Sequence, residues 1–331
     1  MKACVIGGGT WGSAFALHLG SKNVQTHLWI LEEDVYEQTL RYKENKTFLP
    51  GAVFPSAVSF FNKIEDALQG IDIVFIAVPS KFCRSIYMQM APLLSAETVL
   101  VSLTKGIEED SLLRMSQVME EVFSPNFPPK IAVLSGPSFA REVAESHPTA
   151  VVVASKDASL SKTIQNYISN LSFRAYTSED ITGIEIAGAL KNVIAIASGI
   201  LEGLQFGANS MAALVTRGLA EMTRLGTRLG AKPETFAGLA GIGDLVLTCT
   251  GRLSRNRYVG YELGKGRQLE EIVSGMKMIA EGITTTLSGW QLAKKNKTDM
   301  PICEQIFHIL YEGKDPRSAL QNLMSRKLRE E

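Results

Sequence analysis

Apolar residues follow two rhythms along this chain. Up to about residue 178, short apolar runs alternate with amphipathic stretches; beyond it only the helical period persists. The runs at 3–6, 24–29, 71–77, 99–103, 131–134, 150–153 and 173–176 are expected as strands. Several are apolar at every position, as strands buried on both faces are. Between them, 11–20, 31–44, 80–92, 110–123 and 159–170 carry helical patterns. Strand and helix in alternation predict a doubly wound, mainly parallel α/β sheet of Rossmann type. The stretch 48–61, with two prolines and four phenylalanines, breaks the rhythm and is expected as an excursion between the second strand and the rest of the sheet.

From Thr182, which with Glu185 forms a capping-box pattern, the remainder is expected as helices broken at glycine-rich points. The predicted organisation is therefore an α/β domain over 1–179 and an all-α domain over 180–331. A cleft between two such domains is a favoured place for a small-molecule site.

Composition narrows the classes. The 331 residues are 45% hydrophobic, enough for two cores. Lys and Arg balance Asp and Glu at 34 each, which gives no footprint for a nucleic-acid partner. No apolar run reaches the ~18 residues of a membrane span. The start, MKACVIGGG, reads as a strand and turn rather than a leader. The four cysteines are scattered without a C-x-x-C pair, which fits reduced thiols. The four histidines are equally dispersed, and no metal centre is expected.

Chemistry first shows in VIGGGTWGSAFA, residues 5–16. Gly7-x-Gly9-x-x-Gly12 stands directly after a strand and before a helix, the context that makes the pattern a dinucleotide cradle. Gly7, Gly9, Thr10, Trp11 and Gly12 are expected to contact the cofactor. Glu32, 20 residues past Gly12, can accept bonds from ribose hydroxyls and repel a 2′-phosphate. With Glu33 and Asp34 it can equally serve the dipole of the next helix. Arg41, Lys43 and Lys46 are near enough in sequence to tolerate a phosphate, so NAD or NADP is expected, with the preference toward NAD.

Five segments taken together, VIGGGTWGSAFA, SLTKGI (102–107), LSGPSFAREV (134–143), GALKNVIAIASGI (188–200) and AGIGDLVLTCTGRLSRNR (240–257), closely resemble the NAD(P)-dependent glycerol-3-phosphate dehydrogenases of bacterial type. The resemblance covers essentially the whole chain. It implies reversible reduction of dihydroxyacetone phosphate to sn-glycerol 3-phosphate for phospholipid synthesis, in a cytoplasmic enzyme that is often a homodimer. Such a reaction needs a proton and positive charge at the carbonyl oxygen and cationic donors at the phosphate.

Lys191 is the candidate catalytic residue. Ala187, Gly188, Ala195 and Ser198 share its helical face, and their small size leaves a groove for a ligand or another backbone. Spacing alone leaves open a lysine that snorkels to solvent; the resemblance implies the proton donor and acceptor. Burial and a second cation would lower its pKa toward neutrality. Lys105, at a strand end, is implied at substrate and cofactor. Gly136 and Ser138 are implied at the substrate, with Ser138 also placed to cap a helix, and Ala140 at the cofactor. Asp244 could bind a substrate hydroxyl, orient a lysine or cap a helix. Ser254, Arg255 and Asn256 of SRNR are implied at the substrate, with Arg255 also at the cofactor and Arg257 as a neighbour or ion-pair partner. Ile279 and Glu281 fit late cofactor contacts, and Phe82 is placed to pack on the nicotinamide. Leu31 departs from the family, which often has a polar or basic residue there, and this weighs against NADP. A ketopantoate or 3-hydroxyacid reductase is the rival enzyme, and a non-catalytic dinucleotide sensor the rival from another class. SRNR with Lys105 favours a phosphate over a carboxylate, and a sensor has no need of Lys191.

Overall fold

The computed structural model describes residues 1–276 and 278–328. Eight strands form one sheet: β1 (Ala3–Ile6), β2 (Thr26–Trp29), β3 (Val58–Phe61), β4 (Ile73–Ile76), β5 (Val99–Ser102), β6 (Lys130–Ser135), β7 (Thr149–Ala154) and β8 (Phe173–Ser178). Their order is β3-β2-β1-β4-β5-β6-β7-β8. All pairs are parallel except β6 with β7. The expected α/β class holds. The four-residue β1 shows why its residues are apolar throughout: Ala3 and Val5 enter the core on one face, Cys4 and Ile6 the core on the other.

The stretch read as an excursion ends in a strand. Val58–Phe61 pairs with β2 at the sheet edge, from Thr26 opposite Val58 to Trp29 opposite Phe61. Its outer edge needs no fully apolar run, and Ser59 is exposed. Two further expectations shift. The helix expected from residue 110 begins at Met115. The capping box at Thr182 is not used: Asp180 accepts the Gly183 N–H at 2.8 Å and starts the Ile181–Gly203 helix two residues earlier than a Thr182 cap would.

The chain divides into two compact units: Met1–Lys105 with Leu113–Ile184, and Gly106–Leu112 with Glu185–Glu331. The second is helical around its own core, which includes Ile186, Leu190, Val193, Ile196, Met222 and Leu245. The Ile181–Gly203 helix is the one helix among the described residues long and apolar enough to cross a membrane, and its apolar window is wholly buried. It packs closely on the Arg255–Gly264 helix because both carry glycine at the contact. A β carbon at Gly260 would collide with the Ile196 carbonyl, and one at Gly199 with that of Arg257.

Candidate active site

In the α/β unit the sheet order reverses between β1 and β4, the place where open α/β sheets take ligands at their carboxyl ends. Gly7 follows β1 with φ +117°, a conformation suited to glycine. A β carbon there would lie 2.8 Å from the Ala77 carbonyl oxygen, past the end of β4. Around an added β carbon at Gly9, by contrast, there is no atom within 4 Å. The Thr10–Ser21 helix starts at Gly9 without a side-chain cap. An uncapped helix start beside an open glycine is a fitting cradle for a pyrophosphate. Trp11, in the first turn, has its buried Nε1 without a protein partner and leans on Phe15 at 5.7 Å.

At the end of β2, Leu31 and Glu32 are exposed, and Glu32 opens the Glu33–Tyr42 helix without making a side-chain cap bond. The basic residues considered for a phosphate lie over aromatic rings: Arg41 Cζ 5.4 Å and Lys46 Nζ 3.6 Å over Tyr42, and Lys43 Nζ 5.2 Å over Phe60.

Lys105, Gly136 and Ser138 meet in the same unit. Lys105 Nζ donates to the Gly136 carbonyl at 3.0 Å, and Ser138 Oγ donates to that oxygen at 3.1 Å. Gly136 has φ +138°, and a β carbon would sit 2.9 Å from Val151 Cα. Ser138 does not cap the helix as expected. The helix runs Ala140–Ala144 with Phe139 at its cap position, so the hydroxyl stands one residue too early. Phe82 is 45% exposed on the Ser80–Met90 helix, with Lys81 Nζ 4.7 Å over its ring.

In the helical unit Lys191 is buried on the Ile181–Gly203 helix. The groove of small residues around it is filled by a second helix, Asp244–Thr250. Lys191 Nζ donates to Asp244 Oδ1 at 2.7 Å and to Thr248 Oγ1 at 2.8 Å. Thr248 Oγ1 also contacts its own helix at the Asp244 carbonyl, 2.6 Å away. Ser198 Oγ donates to the Cys249 carbonyl at 3.1 Å, pinning the two helices two turns further along from Lys191. The glycine-rich AGIG run makes one wide π turn, Leu239–Gly243, which delivers Asp244 fully buried at the helix start. Within this unit a carboxylate faces the Lys191 ammonium and stabilises its charge against burial.

SRNR splits into separate tasks. Ser254 caps the Arg255–Gly264 helix, accepting the Arg257 N–H at 3.2 Å. Arg255 is exposed, and its Nη1 donates to the Ile279 carbonyl at 2.6 Å, with the charge of Glu281 close enough to act on it. Arg257 pairs with Glu202. Asn256 is buried: its Oδ1 accepts the Gly282 N–H and its Nδ2 donates to Asn192 Oδ1, both at 2.9 Å. Asn192 and Thr248 were not singled out in the sequence. The available signals were a second polar residue beside Lys191 in an apolar helix, and a threonine one helical turn after Asp244.

Residues 2–161 match the family described as the NAD-dependent glycerol-3-phosphate dehydrogenase N-terminus, and residues 180–321 the one described as its C-terminus. The chain is 50% identical over 327 residues to glycerol-3-phosphate dehydrogenase (NAD(P)+) of Koribacter versatilis, spanning 98% of this chain and 97% of the relative. The chain belongs to the glycerol-3-phosphate dehydrogenase family. Its fold agrees: a solved glycerol-3-phosphate dehydrogenase from Coxiella burnetii is 38% identical, with a TM-score of 0.94 over 98% of this chain and 99% of that one. A ketopantoate reductase from Ralstonia eutropha, 16% identical with a TM-score of 0.60 over 97% of this chain and all of that one, shares the fold alone. Membership makes the chain an oxidoreductase of the NAD(P)-dependent class.

Proposed function

We propose that this enzyme reversibly reduces dihydroxyacetone phosphate to sn-glycerol 3-phosphate, with Lys191 as general acid and base. The observation that carries the role of Lys191 is its geometry, a buried ammonium held by Asp244 and Thr248. When bound, the reduced nicotinamide supplies the hydride. Lys191 delivers a proton to the carbonyl oxygen as negative charge develops there, and in the reverse direction receives it. Asp244 and Thr248 hold the Lys191 head in one position, and its positive charge lowers the barrier by stabilising the oxyanion. Lys105, Gly136, Ser138, Ser254, Arg255 and Asn256 are proposed substrate contacts, with the Arg255 guanidinium suited to the phosphate. Asn256, its amide engaged at both ends, contributes mainly by fixing the Arg255 helix against Gly282. Gly7, Gly9, Thr10, Trp11, Gly12, Lys105, Ala140, Arg255, Ile279 and Glu281 are proposed for the cofactor.

NAD is the preferred carrier in this reading, since Glu32 stands exposed after β2 while Lys43 and Lys46 lie against aromatic rings. The family resemblance supports a cytoplasmic homodimer that feeds phospholipid synthesis. Oxidation of NADH and NADPH should be followed separately with dihydroxyacetone phosphate, and with ketopantoate as control. Turnover of the phosphate, faster with NADH, is expected. No turnover of the phosphate, or equal turnover of ketopantoate, would overturn the reading.

A further inference from the structure

Asn45 lies between the Glu33–Tyr42 helix and β3, flanked in sequence by Lys43 and Lys46. It is wholly buried. Its Nδ2 donates to the Gly8 carbonyl at 2.7 Å and to Ser13 Oγ at 2.9 Å. Ser13 Oγ in turn donates to the same Gly8 oxygen at 3.0 Å. Asn45 Oδ1 accepts the Phe48 N–H at 3.0 Å. Two amide hydrogens and one hydroxyl hydrogen thus meet both lone pairs of one carbonyl and one hydroxyl acceptor, a closed set with no member left over.

The Gly8 carbonyl and the Gly9 N–H belong to one peptide plane and point in opposite directions across a trans bond. Two donors fixed on Gly8 O therefore fix the direction of Gly9 N–H as well. Gly9 is the position where an added β carbon would meet open space. A loop that turns its N–H groups toward an anion must turn carbonyls inward, and a buried carbonyl without donors is costly.

The segment holding Asn45 is itself built to stay in place. Glu44 bridges to Val53, Glu44 Oε1 accepts the Gly51 N–H at 2.7 Å, and Phe54 N–H donates to the Lys43 carbonyl at 2.7 Å. Arg141, next to Ala140, donates to the Pro50 carbonyl at 2.5 Å.

We propose that Asn45 is a positioning residue for the cofactor's pyrophosphate, locking the Gly8–Gly9 peptide so that its N–H faces the anion. This rests on the reading of the glycine loop as a dinucleotide cradle. The test is NADH affinity, by the cofactor's own fluorescence, with steady-state kinetics on wild type, Asn45→Ala and Ser13→Ala. Asn45→Ala should raise the NADH Kd and KM about tenfold, the equivalent of one hydrogen bond. It should leave the KM for dihydroxyacetone phosphate unchanged, and kcat at saturating NADH close to wild type. A residue that only stabilises the fold would lower Tm without moving Kd, and wild-type NADH affinity in Asn45→Ala would overturn the proposal. If Asn45→Ala does not fold, Ser13→Ala decides, since it takes one donor from Gly8 and one acceptor from Asn45: weakened NADH binding supports the proposal and wild-type binding overturns it. Wild type that binds neither NADH nor NADPH would instead overturn the cradle reading, and the role of Asn45 with it.

Discussion

A buried ammonium is unfavourable unless a neighbour answers its charge, and Asp244 answers that of Lys191 at 2.7 Å. The small residues beside Lys191 announced a groove for a ligand or another backbone, but not which backbone would fill it. Helical spacing relates residues one turn apart; Asp244 lies 53 positions from Lys191, and only folding joins them. Thr248 was missed for the same reason, and Asn45 because an asparagine in a loop looks like any turn residue. Asp244→Asn keeps the shape and removes the charge. Its alkaline limb of kcat should move to lower pH, because the ammonium loses its stabilising carboxylate. The fold should also lose about 3–5 kcal/mol, the cost of breaking a buried pair. A pH–rate profile together with urea unfolding checks both, and an unmoved alkaline limb would argue that Asp244 does not set the protonation of Lys191.

Strands and helices divide by how much of their environment is written locally. β1 and β4 are buried on both faces and appear as apolar runs. β3 is an edge strand of four residues with one exposed position, so its pattern is too short and too mixed to separate from the loop before it. The Ile181–Gly203 helix was legible as a helix, but its start was not: serine or threonine three residues before a glutamate is a weaker signal than the aspartate that caps it. Its contact with the Arg255–Gly264 helix depends on glycine, and this gives a prediction. Gly260→Ala should destabilise the protein by about 1–3 kcal/mol, because the methyl group meets the Ile196 backbone rather than a flexible side chain. Denaturant unfolding measures this, and an unchanged midpoint would show that the helices separate at no cost.

Across the whole molecule, the α/β and helical units have separate hydrophobic cores and bury titratable groups of opposite sign of response. In the α/β unit, burial lowers the His18 pKa from 6.5 to about 4, while its Nε2 donates to the Ile168 carbonyl at 2.7 Å. His18 is held neutral, so its contribution is complete above the unfolded value and is lost as pH falls from about 6.5 to 4. In the helical unit, burial raises Glu221 from 4.5 to about 7, although it accepts the Ile302 and Cys303 N–H groups at the start of the Pro301–Glu312 helix. Its contribution is complete below the unfolded value and is lost as pH rises from about 4.5 to 7. Each shift is on the order of 3 kcal/mol by linkage. In calorimetry without ligand, His18→Gln should flatten the rise of Tm with pH over this range, and Glu221→Gln should flatten the fall. The same change of slope in both variants would contradict the assignment. The sheet class, the helical second half and the glycine cradle were legible because each depends on period or on neighbouring residues; these opposed buried groups were not, since burial is a property of the folded chain.

The central claim is that Lys191 moves the proton. Lys191→Ala should be assayed with NADH and dihydroxyacetone phosphate, with its NADH Kd measured on the same preparation. The account predicts wild-type NADH affinity with turnover lowered by about 10²–10⁴-fold, the range of a lost general acid. Wild-type turnover in a variant that binds NADH normally would contradict it.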